Sequence, residues 1–166
     1  MFVFQAKDLV KDEPLTSITN LSKISSITSK ETSHLKYNDI VIVARGLKAG
    51  AFRATTIKTN HHSIIASSSV HIIRLNTPNV EPDYISHYLN SSMAQSELAK
   101  EVKGSYIGVL PRKALENLDI PLPSLEKQKI LIDLHTNLIA QTKISTHRNH
   151  IIHTMIDTIY KELKTL

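Results

Sequence analysis

The sequence predicts a mixed α/β body, residues 1–123, followed by one long C-terminal helix, residues 124–166. Three observations predict it. Ile40-Val41-Ile42-Val43-Ala44 is a continuous, largely β-branched run, the pattern of a strand buried on both faces. Strand-like and helix-like segments mix without a regular βαβ repeat, which argues against a doubly wound sheet. Neither Pro nor Gly occurs after Pro123. A helix from there to the last residue would run about 60 Å at about 1.5 Å per residue, too long to pack only on its own body.

Phe2–Gln5 reads as a short opening strand, and the polar stretch from Asp8 to Ser33 as loops with one edge strand. Leu35-Lys36-Tyr37-Asn38-Asp39 is a turn into the β-branched run, which stops at Arg45-Gly46. Gly46 and Gly50 bracket a basic loop, without the Gly-Lys-Ser/Thr of a phosphate-binding loop. Phe52–Lys58 suggests another strand. Ile64-Ile65-Ala66 and Val70–Leu75 flank a serine cluster. Pro82 opens a helix with Tyr84, Ile85, Tyr88 and Leu89 on its apolar side. A second helical segment, Met93–Lys103, ends at Gly104. Pro111 starts a short helix expected to bury Leu115 and Leu118. Pro121 and Pro123 then force an extended approach, and Ser124 stands where the N-cap of the long helix belongs.

A heptad frame can be written on that helix through Leu131, Leu134, Leu138, Gln141, Ser145, Arg148, Ile152, Met155 and Ile159. Its ends are apolar and its centre polar, the pattern of two contact zones or of a coiled coil with a register-fixing middle. Leu131, Leu134, Leu138, Ile152, Met155 and Ile159 are the expected pairing residues.

The net charge of +5 is modest, so its distribution matters more than its total. No acidic residue occurs between Asp39 and Glu81, a span holding Arg45, Lys48, Arg53, Lys58 and Arg74 with His61, His62 and His71. That is either a footprint for a polyanion or a set of solvated loops. With no cysteine, disulfides, thiolate metal sites and cysteine nucleophiles are excluded. No apolar run approaches the ~20 residues of a membrane span. The N-terminus lacks a signal-peptide pattern, so a cytoplasmic protein with no membrane association is expected. Neither the His61-His62 pair nor His147, His150 and His153 suggests a metal site, since neighbouring strand residues point apart and solvent-facing histidines suffice. No nucleophile elbow, zinc helix or kinase-type set is present. Most carboxylates read as surface charges; Asp39, beside the buried strand, is the exception. A non-enzymatic chain without cofactor or metal is expected.

Leu118 to Ile130 resembles the boundary in the DNA-specificity subunits of type I restriction-modification systems, where an "Ile-Pro-Leu-Pro-x-Leu-x-x-Gln-Lys" pattern enters a long helix. Three other stretches resemble that family in order. Leu35–Val41 with Arg45-Gly46 is similar to its "leucine-lysine-x-Gly-Asp-Ile" turn, strand and Arg-Gly. Ile73–Ser91 is similar to its "Pro-x-Tyr-Leu" helix, and Gly104–Ile107 to its "Gly-Ser" turn. Asn38 stands where the family usually has Gly. A typical member carries two recognition domains and two helices in one chain, whereas these 166 residues hold one of each.

The resemblance implies a target-recognition domain at 1–123 and a pairing and docking helix at 124–166. It implies a non-catalytic subunit of a phage-defence system that reads one half of a bipartite site on double-stranded DNA. The implied partners are a methyltransferase carrying S-adenosylmethionine and, in a restricting system, a motor-nuclease subunit. A one-domain form would form a homodimer through the helix. Arg45, Lys48, Arg53 and Lys58 are the first candidates for DNA contact, with Lys103, Ser105, Tyr106, Arg112 and Lys113 second. Arg is the usual reader of guanine edges, and Lys more often holds phosphate. A structural role closing the strand end is the alternative for Arg45. The alternative for the whole chain is an interaction or regulatory half-subunit that pairs with another specificity or defence protein without reading DNA.

Overall fold

The computed structural model describes residues 1–10, 12–25, 33–46, 52–61, 63–101 and 108–164. Lys48, His62, Lys103, Ser105 and Tyr106 lie outside the described residues, as does the expected cap at Gly104. The chain separates into two compact units, Met1–Lys129 and Ile130–Leu166. In chain order the elements are β1 (Phe2–Phe4), β2 (Ser22–Lys23), β3 (Ile40–Val43), β4 (Arg45–Gly46), β5 (Ala54–Thr56), β6 (Ile64–Ala66), β7 (Val70–Ile73), α1 (Pro82–Asn90), α2 (Ser92–Lys100), β8 (Gly108–Val109), α3 (Arg112–Glu116) and α4 (Leu125–Leu163). The expected class, mixed sheet plus helices followed by one long helix, is the one observed.

The β-branched run forms β3, the centre of a sheet ordered β5-β3-β7, with both neighbours antiparallel. All four of its residues are buried because both faces are covered. Val41 and Val43 join Phe4, Leu9, Ile57, Ile64 and Val70 in one core, shared with the second sheet β2-β1-β6. Ile40 and Ile42 point the other way. On that side Thr56, the cross-strand partner of Ile40, donates to Asp83 of α1 (2.6 Å). Each valine or isoleucine of β3 withdrawn from water is worth about 1.5–3 kcal/mol.

The expected edge strand appears as β2, at the border of the second sheet. The expected strand at Phe52–Lys58 is shorter, Ala54–Thr56, because no regular strand lies along its outer border. That border is closed by other means. Gln95 Oε1 accepts from Phe52 N–H (3.0 Å), and its Nε2 donates to Phe52 O (2.7 Å). Asn90 does the same for Ala54, accepting from N–H (2.8 Å) and donating to O (2.9 Å). Further along, Leu15 N–H donates to Thr56 O and Leu15 O accepts from Lys58 N–H. Two side-chain amides and one isolated bridge thus occupy the groups that an exposed edge would offer to another chain.

Arg45-Gly46, expected to end the strand in a loop, instead forms β4 and pairs with β8. In α3 the expected burial of Leu115 and Leu118 is corrected: Ala114 is the buried residue. The two leucines are half-buried and line an open apolar cavity of about 920 Å³ with Val70, Ile72, Ile85 and Leu89. Asn38 has φ 68°, the left-handed region that glycine enters freely and asparagine tolerates. That backbone requirement explains why either residue serves at this turn.

The long helix begins where expected. Gln128 N–H donates to Ser124 O (3.0 Å), and Ser124 Oγ accepts from Lys127 N–H at 3.5 Å. Its 39 residues extend about 58 Å at about 1.5 Å each. Among the described residues, no helix is long and apolar enough to cross a membrane.

Candidate functional site

Backbone hydrogen bonds gather a basic patch where β3 ends. Val43 N–H donates to Arg53 O (2.9 Å), and Leu110 N–H donates to Ala44 O (2.9 Å). One residue on, Arg45 lies opposite Val109 and Gly46 opposite Gly108. Arg45 and Arg53 are thereby drawn to the same end of the central sheet as Arg112 and Lys113, which open α3 just after β8. All four are exposed. Opposed residues of a ladder share a face, so the Arg45 side chain stands beside that of Val109, itself 50% exposed. Arg112 pairs with Glu116 at 2.8 Å, one helical turn along an open surface. Among the described residues Arg45, Arg53 and Lys113 have no ion-pair partner.

The pairing of Gly46 with Gly108 joins two sequence signals that lie far apart. Lys48 follows Gly46 by two positions, and Tyr106 precedes Gly108 by two. The segments 47–51 and 102–107, which carry Lys48, Lys103, Ser105 and Tyr106, lie outside the described residues. They are continuous in sequence with this pair of strands.

Lys58 is placed elsewhere. It follows Arg53 by five residues, roughly 16 Å along an extended chain. Its ammonium pairs with Asp83 (2.9 Å), donates to Asn38 Oδ1 (2.9 Å) and lies 5.6 Å from the Tyr37 ring centroid. Arg74 is also engaged. Its guanidinium grips the buried Asp39 carboxylate through Nε (2.7 Å) and Nη2 (2.6 Å) and donates to His34 O (3.1 Å). The hydrogen bond to Asp39 raises the Arg74 pKa above its ordinary value, with burial opposing and the carboxylate charge adding. Asp39 also accepts from Lys36 N–H (2.7 Å). The distinctive carboxylate of the sequence therefore braces the turn before β3.

Sequence reasoning missed three residues that fix this unit: Asn90, Gln95 and Gln128. Asn90 and Gln95 are neutral amides that read as ordinary surface polarity until their partners are known, and Gln128 is marked only as part of a pattern, with no role. Gln128, in the first turn of α4, is fully buried. It accepts from Glu81 N–H (2.9 Å) and donates to Asn79 O (3.1 Å) and Pro123 O (2.9 Å). Nearby, the Tyr84 hydroxyl donates to Pro121 O (2.6 Å). Burial, with a smaller contribution from Tyr88, raises the Tyr84 pKa and keeps that donor proton in place. The glutamine of the Pro-Leu-Pro…Gln pattern is the one sequence signal that marked any of these residues.

The second unit presents the opposite surface. All six expected pairing residues are exposed, from 47% for Leu131 and Ile152 to 61% for Leu134. Ile144, Ile151, Ile156, Tyr160 and Leu163 add further exposed apolar surface that the heptad frame did not include. His150, Ile151, Thr154, Met155, Thr158 and Ile159 line a shallow groove along its last turns.

Residues 6–154 match the type I restriction modification DNA specificity domain family. The chain is 32% identical over 108 residues to the type I restriction enzyme MjaVIII specificity subunit of Methanocaldococcus jannaschii, covering 65% of this chain and 23% of that one. It is 31% identical over 62 residues to the StySPI specificity subunit of Salmonella potsdam, covering 37% of this chain and 13% of that one. The chain thus spans less than a quarter of the length of these curated relatives. In fold it is similar to the crystal structure of the HsdS subunit from Thermoanaerobacter tengcongensis, with a TM-score of 0.61 at 18% identity, over 76% of this chain and 33% of that one. On the extent of the family match, the chain belongs to the type I restriction modification DNA specificity domain family.

Proposed function

We propose that this chain is a non-catalytic DNA-reading subunit whose first unit recognises one half of a bipartite duplex site and whose helix pairs with a second copy. Through that assembly it would direct a methyltransferase carrying S-adenosylmethionine, and in a restricting system a motor-nuclease, to the target. The observation that supports the DNA reading is the Arg45-Gly46 pairing with Gly108-Val109, which brings the exposed Arg45 to the strand end where Arg53, Arg112 and Lys113 also lie. Arg45 and Arg53 are the principal contacts in this reading, with Lys48, Lys103, Ser105 and Tyr106 in the adjoining segments. Arg112 and Lys113 border them. The exposed Arg112–Glu116 pair is worth about 0.3–0.5 kcal/mol, little enough for a phosphate to displace. Lys58 contributes less directly, since its charge is shared with Asp83. The names of the curated relatives, specificity subunits of restriction enzymes, support the reading.

Duplex binding tests it. Affinity should fall steeply with salt, and Arg45→Glu with Arg53→Glu should weaken binding by at least tenfold while leaving the melting temperature unchanged. Binding that is absent, or indifferent to both changes, would favour the second reading. In that reading the chain pairs with another specificity or defence protein without touching DNA, and the exposed apolar length of α4 is its whole function.

A further inference from the structure

The strand end carrying Arg53 is gripped from two sides. On the inner side a single ladder bond, Val43 N–H to Arg53 O, holds it to β3. On the outer side the residues flanking Arg53 are held at both backbone groups, Phe52 by Gln95 and Ala54 by Asn90. Gln95 also donates to Leu89 O (2.7 Å), a carbonyl in the last turn of α1. Asn90 also donates to Asp12 Oδ1 (2.8 Å). Phe52 and Ala54 are wholly buried, so alternation along the strand sends the exposed Arg53 side chain to the opposite face. Removing Gln95 would release both backbone groups of Phe52 and leave this end held by the Val43 bond and by Asn90 at Ala54. Closing an edge against aggregation needs only that its groups be covered. Here the cover is bidentate on both sides of one exposed arginine and is anchored in the turn between two helices.

We propose that Gln95, with Asn90 beside it, is a positioning residue for DNA contact: its amide fixes the Phe52 backbone so that Arg53 is presented in one place. This rests on the reading of Arg53 as a DNA contact. Edge protection alone is the competing explanation, and the two separate in how binding depends on salt. Each phosphate contact adds close to one unit to the slope of log affinity against log salt.

The test uses the full chain and a fluorescein-labelled duplex of mixed sequence, about 30 base pairs, titrated from about 50 to about 200 mM salt by anisotropy. Arg53→Ala should lower the slope by about one for each copy of the chain bound to the duplex. Gln95→Met, which keeps the length of the side chain and removes its hydrogen bonds, should lower it by about the same amount although Arg53 is still present. The two together should do no more than either alone, because both remove one contact. Were Gln95→Met not to give a cooperative melt, Gln95→Glu, which keeps the acceptor, would be measured with and without Arg53→Ala so that its added charge cancels. A slope that falls with Arg53→Ala and stays at the wild-type value with the Gln95 variant would overturn the positioning role and leave edge protection. A slope unmoved by Arg53→Ala would overturn the reading of Arg53 itself, and the positioning role with it.

Discussion

The two units of this chain solve opposite problems with the same kinds of residue. In Met1–Lys129 the apolar residues of β1, β3 and β6 build a buried core, and the buried amides of Asn90 and Gln128 are hydrogen-bonded. Asn90, Gln95 and Gln128 each bond backbone groups at least 36 residues away or across a proline link. Among the described residues of the second unit most leucines and isoleucines are exposed, and threonine hydroxyls bond their own helix, Thr142 to Leu138 O and Thr154 to His150 O. One unit has a buried core of its own. The other exposes an apolar stripe along one helix, surface that in the proposed reading a second copy covers.

Substitutions can break or sharpen that contrast. The largest effect is expected in the first unit at Arg74, whose loss leaves the buried Asp39 carboxylate without its partner. Arg74→Ala should cost about 3 kcal/mol by urea unfolding, the low end for a buried pair because the guanidinium is partly exposed and Asp39 keeps its bond from Lys36 N–H. The bridge itself should be insensitive to pH across the neutral range: with the Arg74 pKa raised, its contribution is fully present below arginine's ordinary value and is lost only above it. Next comes Asn90→Leu, which strands both backbone groups of Ala54 and should cost about 2–3 kcal/mol. A change below about 0.5 kcal/mol there would mean that water replaces the amide and that the strand edge is not closed as described.

Tyr84→Phe is a smaller change, about 1 kcal/mol, and carries a pH signature. Because the folded pKa is raised, the hydroxyl's contribution is complete below tyrosine's ordinary value near 10 and fades as pH climbs through the folded value. Absorbance near 295 nm should show a late tyrosine ionisation that Tyr84→Phe removes. Smallest for a single chain are changes in the second unit. Leu134→Ser should alter unfolding of the first unit by less than about 0.5 kcal/mol, while changing how stability depends on protein concentration.

Local signals were legible in the sequence. The β-branched run, Pro82 and Pro111 at helix starts, and Ser124 at the mouth of α4 act through the backbone of their own neighbourhoods, so the sequence displays them directly. Partnership was not legible. β4 and β8 are two residues each, too short for any periodicity, yet their pairing sets Arg45 near the start of α3, which carries Arg112 and Lys113. Arg74 and Lys58 read as free cations because the sequence does not show that Asp39 and Asp83 fold beside them. Leu115 and Leu118 read as core because their helix face is apolar, whereas the structure leaves them on an open cavity.

Light scattering on the full chain, alone and with Leu134→Lys and Leu138→Lys together, bears most directly on the pairing of two copies through α4. The wild-type chain should have the mass of two copies, and the doubly charged variant, with its first unit still folded by circular dichroism, the mass of one. A wild-type chain that stays monomeric at concentrations well above those of the DNA-binding measurements would contradict self-pairing and assign the apolar helix to a different protein.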